Sequence, residues 1–510
     1  MDRRPRVSAV ELAVFVSGVT SIGLEILAGR VVAPAFGSSI YVWGSVIGVT
    51  LAALGVGYHF GGRRAQGRAS RRRIAAVCLL SALSVAVLLL AGEAVLRAAD
   101  ALSVPPRLAP LLPVAVLFGP PVFCLGFVSP YAAEISAAES TGAAAGRVYA
   151  VGTAGSLVGA FGTTFVLVPA LSVATVEVGF GLLLAGTALL LAVRGEAPGT
   201  APGAAAVALV LVAAFAVHGA GFGTPGTTVY ETETAYQHLS VVDDGGVRTL
   251  YLDGQPQSAT YVDGREGYVF TYSRYLHLPM LLTEDVDRVL FVGGGGFSSP
   301  KRYLREYPNV SVDVVELDPA VVRAAREYFA VPDSPRLSVH VGDGREFLER
   351  TNRTYDVVVL DAYRKDRVPF HLTTADFFGL VADRLDDDGV LVANVIAART
   401  GPASAFYRAE FATMETAFPH VAAFPTSDRS GLQNVELLAA KRPFSRSLLS
   451  ERARQRSVGV SLFGAVERYR DDVPTDDVPV LRDDRAPVEH LLDPQLGRRY
   501  VVERTNETVG

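Results

Sequence analysis

Seven apolar stretches dominate the first 230 residues: Val7–Leu27, Tyr41–Phe60, Ile74–Ala91, Leu111–Ile135, Val148–Leu167, Val173–Val193 and Ala204–Phe222. Each is close to the ~20 residues that a helix needs to cross hydrocarbon. The first is too long, and too poor in a cleavage site, to be a removed signal peptide. A soluble bundle would place charge along one face of every helix, and here charge inside any run is rare. The stretch 1–223 is therefore expected to be a multi-pass transmembrane helical domain of about seven spans, located in the cell membrane.

Charge divides the chain at the same place. Residues 1–229 hold 14 Lys+Arg and 9 Asp+Glu, and residues 230–510 hold 33 and 43, so the parts carry about +5 and −10. An acidic second half offers no basic surface to nucleic acid. The two cysteines, Cys78 and Cys124, both lie in apolar runs and give neither a disulfide framework nor a thiolate zinc site. No His, Cys and carboxylate cluster has metal-ligand spacing, so no metal is expected.

Arginine placement orients the helices. The end that holds the N-terminus collects Arg3, Arg4, Arg6, Arg63, Arg64, Arg68, Arg71, Arg72, Arg73, Arg147 and Arg194, and the other end gets Arg30, Arg97 and Arg107. The first end is therefore cytoplasmic. Seven spans would then leave the second half outside, unless the Pro-rich fourth run (Pro110, Pro113, Pro120, Pro121, Pro130) or the short seventh does not cross. Glu25, Arg30, Glu93, Glu134 and Glu177, within or at the ends of runs, are candidates for pairing or a substrate path. Gly152, Gly155, Gly159 and Gly162 read as close helix–helix contact.

Thr224-Pro-Gly-Thr-Thr breaks the last run. Alternating Val, Thr and Tyr residues around Asp243-Asp-Gly-Gly then predict a small β-hairpin module over 224–282. Beyond it, apolar runs of strand length alternate with helical spacing, which means βαβ units, a parallel sheet and an α/β doubly wound domain over 283–445. Residues 446–510 read as an acidic C-terminal extension, with Asp471, Asp472, Asp476 and Asp477 as solvated surface. The run from Arg288 ends in Gly293-Gly-Gly-Gly, Val310–Val315 ends in Glu316-Leu-Asp, Leu337–Val341 ends in Gly342-Asp343-Gly344, and Tyr355–Leu360 ends in Asp361.

In such sheets ligands sit outside the carboxyl ends of the strands. Glycines at 293–296 let backbone approach a ligand closely and leave the next helix's N–H groups free. Glu316, about 20 residues on, is placed to accept hydrogen bonds from two ribose hydroxyls. Asp343 sits where an adenine amine would be met, although either acid would also serve as an N-cap. The glycines are contiguous, not G-x-G-x-x-G, which favours an S-adenosyl compound over a dinucleotide. Gly389–Ile396 reads as a fifth strand, and Val421–Phe424 with Val435–Lys441 as an antiparallel pair, so the domain is class I methyltransferase-like.

Residues 230–440 resemble the spermidine synthase (polyamine aminopropyltransferase) family, and the apolar half resembles the membrane domain of its fused, multi-spanning members. The resemblance is carried by Tyr236-Gln237, Leu252-Asp253-Gly254 with Gln257, Gly293–Gly296, Glu316-Leu-Asp318, Gly342-Asp343-Gly344, and Tyr355-Asp-Val-Val-Val-Leu-Asp361. Asp483-Asp484 and Pro487-Val488-Glu489 are similar to the fused members' tail. The resemblance implies a transferase that moves an aminopropyl group from decarboxylated S-adenosylmethionine to an amine. It implies donor binding by Gln237, Gly293, Gly294, Gly295, Glu316, Asp343 and Gly344, with Asp361 as general base. Tyr268 or Tyr272 would orient the amine; Tyr272 is the candidate carried forward.

The chain departs from the family's pattern at three points. Gly296 replaces an Asp, Arg364 replaces the second acid of Asp-Ser-Ser-Asp, and no Tyr-His-Glu run follows the hairpin. A dication is bound by carboxylates and aromatics, so these changes favour a neutral or anionic acceptor, or intact S-adenosylmethionine as donor. The expected partners are the lipid bilayer, a small-molecule amine or other acceptor, and a second copy in a homodimer. Two further readings remain: an S-adenosylmethionine-dependent transferase on a membrane-linked acceptor, and a transporter or sensor regulated by its nucleoside-binding domain. Tyr363 and Phe370 read as core or lid residues, and His371 as a loop residue able to face the site.

Overall fold

A computed structural model describes residues 8–505 apart from 37–38, 101, 103, 106, 137–140, 220–225, 366, 457, 497 and 499. Arg3, Arg4, Arg6 and the linker residues Thr224 and Pro225 lie outside the described residues. The chain divides into two compact units, Met1–Thr224 and Pro225–Gly510.

The first unit is all helix: α1 (Ala9–Phe36), α2 (Ile40–Ala65), α3 (Arg71–Asp100), α4 (Leu111–Leu117), α5 (Gly119–Leu125), α6 (Val128–Ser136), α7 (Thr141–Gly162), α8 (Val168–Ala170), α9 (Val173–Val193) and α10 (Ala201–Gly219). Among the described residues six helical stretches are long and apolar enough to cross a membrane, one of them being α7 continued through a π-turn into α8. The fourth apolar run is instead a broken pair, Leu111–Leu117 and Gly119–Ser136, bent by 49°. Pro120 and Pro121 lack the N–H groups that would continue the ladder of α4, which is the ordinary cause of such a bend.

The broken pair nevertheless joins opposite ends of the unit. Arg107, before α4, sits over the ring of Tyr41 at the start of α2. Glu134, in α6, accepts the Gly67 N–H of the α2–α3 turn at 3.4 Å. Arg147, early in α7, is 3.8 Å from Glu11, early in α1. Gly155 and Gly159 lie against the Phe15 and Val19 carbonyls with no room for a Cβ, so α1 and α7 run parallel in close contact. Arg71, opening α3, pairs with Glu196, after α9, at 3.1 Å. The chain thus traverses this unit seven times, and α10 ends away from Glu11, Gly67 and Glu196. Outward-facing residues such as Leu51, Leu90, Phe161, Phe165 and Leu209 are apolar and exposed.

The second unit begins with a four-stranded antiparallel sheet, β1 (Thr227–Glu233), β2 (His238–Asp244), β3 (Val247–Leu252) and β4 (Gln255–Tyr261). A short helix, α11 (Tyr272–Tyr275), leads into β5 (Arg288–Val292), α12 (Ser298–Glu306), β6 (Ser311–Glu316), α13 (Pro319–Tyr328), β7 (Leu337–Val341), α14 (Gly344–Arg350) and β8 (Tyr355–Leu360). After these come α15 (Ala375–Arg384), β9 (Leu385–Ala397), α16 (Ala405–Met414), β10 (His420–Pro425) and β11 (Gln433–Ala440). The seven strands order as β10-β11-β9-β8-β5-β6-β7, with β10 and β11 antiparallel. Val289, Leu290, Val357, Val358, Leu391 and Val392 are fully or almost fully buried, as a sheet covered on both faces requires. Asp471, Asp472, Asp476 and Asp477 are exposed, while elsewhere in the terminal segment Asp483 pairs with Arg345 at 2.6 Å, and Phe270 and Arg504 form a bridge.

Candidate active site

Four adjacent parallel strands stop at one edge, and their last residues form a connected rim. Gly293 follows β5 with φ of 99°, a conformation open chiefly to glycine. It lies so close to the Asp361 carbonyl, at the end of β8, that no Cβ fits. Glu316, ending β6, accepts the Gly294 and Gly295 N–H groups at 2.9 and 3.2 Å on one oxygen and the Asp318 N–H at 3.0 Å on the other. A carboxylate has about four lone-pair sites, so Glu316 keeps capacity for hydroxyl donors. Burial pushes its carboxyl above the usual range, against those backbone donors.

Asp343 fills the capping role foreseen for it. It caps α14 by accepting the Arg345 and Glu346 N–H groups on Oδ1, and its Oδ2 meets His371 Nε2 at 2.8 Å. Burial pushes its carboxyl up, but the Glu346 N–H and His371 outweigh that and bring it below the ordinary value. Gly344 is required sterically, since a Cβ there would run into Val292.

Asp361 is half-buried at the end of β8, and burial raises its carboxyl, opposed by one hydrogen bond from Asn394 Nδ2 at 2.8 Å. That amide is held in turn. Asn394 Oδ1 accepts from Asn434 Nδ2 at 2.8 Å, and Asn434 Oδ1 accepts the Tyr500 hydroxyl at 2.8 Å.

The two tyrosines of the connecting segment part company. Tyr268 is buried with its hydroxyl 2.7 Å from His277 Nε2, inside a cluster with Tyr303 and Tyr307. Tyr272 is buried at the rim, donates to the Gln257 carbonyl at 3.2 Å, and is raised well above its usual value first by burial and then by the charge of Asp361. Only Tyr272 reaches the site.

Gln237 and Arg364 meet on the sheet-module side. Arg364 Nη1 donates to Gln237 Oε1 at 3.0 Å and to Asp253 Oδ2 at 3.0 Å, both acceptors being buried. The arginine that replaces an acid is thus locked onto the Leu-Asp-Gly turn. Tyr363 is core, its hydroxyl 2.6 Å from both the Leu372 carbonyl and Glu410 Oε1, and Phe370 is exposed. Sequence reasoning missed Asn394, Asn434, Glu436 and Tyr500. A polar residue inside an apolar strand run was the available signal for Asn394 and Glu436; Asn434 stands beside Gln433 at the polar start of β11, and nothing local marks Tyr500. Among the described residues no group of three or more His, Cys, Asp or Glu could hold a metal ion.

Residues 269–405 match the Spermine/spermidine synthase domain family. Over 230 residues the chain is 30% identical to a polyamine aminopropyltransferase of Vibrio vulnificus (strain CMCP6), covering 44% of this chain and 75% of that one. The chain belongs to the polyamine aminopropyltransferase family. Another relative, a probable polyamine aminopropyl transferase of Bifidobacterium longum (strain NCC 2705), is 29% identical over 282 residues, 51% of this chain and 61% of its own. Among solved structures, a probable spermidine synthase from Corynebacterium glutamicum ATCC 13032 aligns with TM-score 0.43 and 22% identity, over 51% of this chain and 97% of that one. As a polyamine aminopropyltransferase family member, the chain is a transferase. The family's matched segment, 269–405, contains Gly293–Gly295, Glu316, Asp343 and Asp361, whereas Gln237 and Glu436 lie outside it.

Proposed function

We propose that the chain transfers an aminopropyl group from decarboxylated S-adenosylmethionine to an amine. The observation that supports this most is the continuous rim of Gly293–Gly295, Glu316, Asp343 and Asp361 at four neighbouring strand ends. Glu316 takes the ribose and Asp343 the adenine, with Gly344 allowing close approach. Gln237, oriented by Arg364, lines the sulfonium side. Asp361 accepts a proton from the acceptor amine, because a protonated nitrogen has no lone pair with which to attack. The amine nitrogen bonds to the donor's propyl carbon, the carbon–sulfur bond breaks, and 5′-methylthioadenosine leaves with the electron pair on sulfur. Tyr272, neutral at any working pH, orients the amine. Full-length protein in detergent, given decarboxylated S-adenosylmethionine and 1,4-diaminobutane, is expected to release 5′-methylthioadenosine and the aminopropylated amine in equal amounts. Release of S-adenosylhomocysteine from intact S-adenosylmethionine in its place would favour the reading of an S-adenosylmethionine-dependent transferase on a membrane-linked acceptor.

The helical unit is proposed to lie in the cell membrane as a multi-pass anchor with its Arg63–Arg73 end in the cytoplasm. Seven traversals carry the chain to the other side, so the transferase unit works on the outer face. The native cysteines are both buried, which permits a labelling test. A membrane-impermeant maleimide is expected to label Ser430→Cys in intact cells, and to reach Gln66→Cys only after lysis. The reverse pattern would place the site in the cytoplasm.

A further inference from the structure

Asp343 gives its two oxygens to different neighbours, and one of them is the oxygen that a nucleobase amine would need. Oδ1 is spent on the Arg345 and Glu346 N–H groups that open α14. Oδ2 is met by His371 Nε2 at 2.8 Å, from the loop between β8 and α15. No step of the transfer uses this histidine. Its ring holds the oxygen assigned to the adenine amine, so the subsite is engaged by the chain's own side chain before any donor arrives.

The ring is the movable part of this contact. The His371 carbonyl accepts from Arg345 Nη1 at 3.1 Å, and the same guanidinium grips both oxygens of Asp483 at 2.8 and 2.6 Å. Asp483 also accepts the Thr374 hydroxyl at 2.6 Å and donates its N–H to Asp376 at 3.1 Å. These contacts pin the loop's backbone at His371 and just beyond it. The side chains of His371 and Asp343 are 36% and 32% exposed, so ligand reaches the contact and the ring has room to turn out.

Charge decides how firmly the ring stays. Asp343 and Arg345 face it from the start of α14 and Asp483 from the terminal segment, two acids against one base. On its own loop the nearest ring is that of Phe370, edge-on at 5.8 Å. An imidazole changes charge within the ordinary physiological range of pH. Protonated, it makes a charge-assisted hydrogen bond to a carboxylate, roughly twice as strong as the neutral one.

We propose that His371 is a proton-operated gate on the adenine subsite. Protonated, the ring holds Asp343 Oδ2; on losing its proton it yields that oxygen to the nucleobase amine, so donor binding expels a proton and weakens in acid. This rests on the reading of Asp343 as the adenine partner, and the experiment separates the two.

Full-length wild type, His371→Gln and His371→Ala would be compared in detergent by calorimetry with 5′-methylthioadenosine, at about pH 5.5 and about pH 8.5. Wild type should bind roughly tenfold more tightly at the higher pH. His371→Gln offers a neutral donor to the same oxygen and should bind with one affinity at both. His371→Ala leaves the oxygen open, so at the lower pH it should bind roughly tenfold more tightly than wild type. Heats taken in two buffers of different ionisation enthalpy should show proton release on binding by wild type alone. Equal wild-type affinity at the two pH values, a pH dependence that survives in both variants, or His371→Ala no tighter than wild type at the lower pH overturns the gate and leaves the nucleoside reading intact. Unfolding of both variants also overturns it, by making the contact a structural one. Wild type that binds no 5′-methylthioadenosine at either pH removes the adenine assignment of Asp343 and the gate together.

Discussion

Asp361→Asn lowers aminopropyl transfer by about 10²–10⁴-fold, the range a positioned general base supplies, while leaving 5′-methylthioadenosine bound as tightly as in wild type. The asparagine keeps the side-chain oxygen that accepts from Asn394, so the rim retains its shape and loses only the site that takes the proton. Single-turnover rates with preformed donor complex, set beside a thermal shift with the nucleoside product, make the measurement. A variant that turns over within a factor of two of wild type would remove Asp361 from the chemistry. In wild type the carboxyl must be ionised to act. Burial holds its pKa above the ordinary carboxylate value, so the acid limb of kcat/KM lies at higher pH than for an exposed aspartate. Asn394→Leu deletes the one donor that favours the charged form, and is expected to move that limb further up.

Gly293→Ala has the second large effect, on donor binding and transfer together. An L-residue at φ of 99° is strained by about 1–3 kcal/mol before any collision. The new methyl would also press on the Asp361 carbonyl, so the β5 turn and the end of β8 cannot both stay in place. Affinity for 5′-methylthioadenosine by calorimetry is expected to fall at least about tenfold, since 1.4 kcal/mol is a factor of ten, and the melting temperature is expected to fall with it. Gly295→Ala separates conformational strain from collision: its φ is 50° but no backbone lies near the added methyl. Equal effects at the two positions would mean that the contact with Asp361 carries no weight.

The parallel core was legible because each strand is a continuous apolar run that stops in glycine or an acid, and those punctuation residues are local. Leu337–Val341 and Tyr355–Leu360 end as strands where their apolar runs end in sequence. The fate of Tyr268 and Tyr272 was not legible, because four residues of spacing say nothing about which ring meets His277 and which meets the rim. The fourth apolar run read correctly as Pro-rich, yet whether it joined both ends of its unit depended on Glu134 meeting Gly67 and Arg107 meeting Tyr41, contacts set by packing. Glu436 was visible only as a single acid in an apolar strand. Its place opposite Asn394 comes from cross-strand register, which no local pattern encodes.

The relay from Tyr500 through Asn434 and Asn394 to Asp361 gives the chain's closing residues a hold on its chemistry. An asparagine amide has two faces, oxygen and nitrogen, that are nearly equal in shape and opposite in polarity. Ionised Asp361 can only accept, so it turns the Asn394 nitrogen toward itself and leaves the Asn394 oxygen to Asn434. Asn434 answers with its own nitrogen and turns its oxygen to the Tyr500 hydroxyl. A chain cut ahead of Tyr500 would leave that last oxygen without its donor, and the polarity set at Asp361 would end in an unmet acceptor.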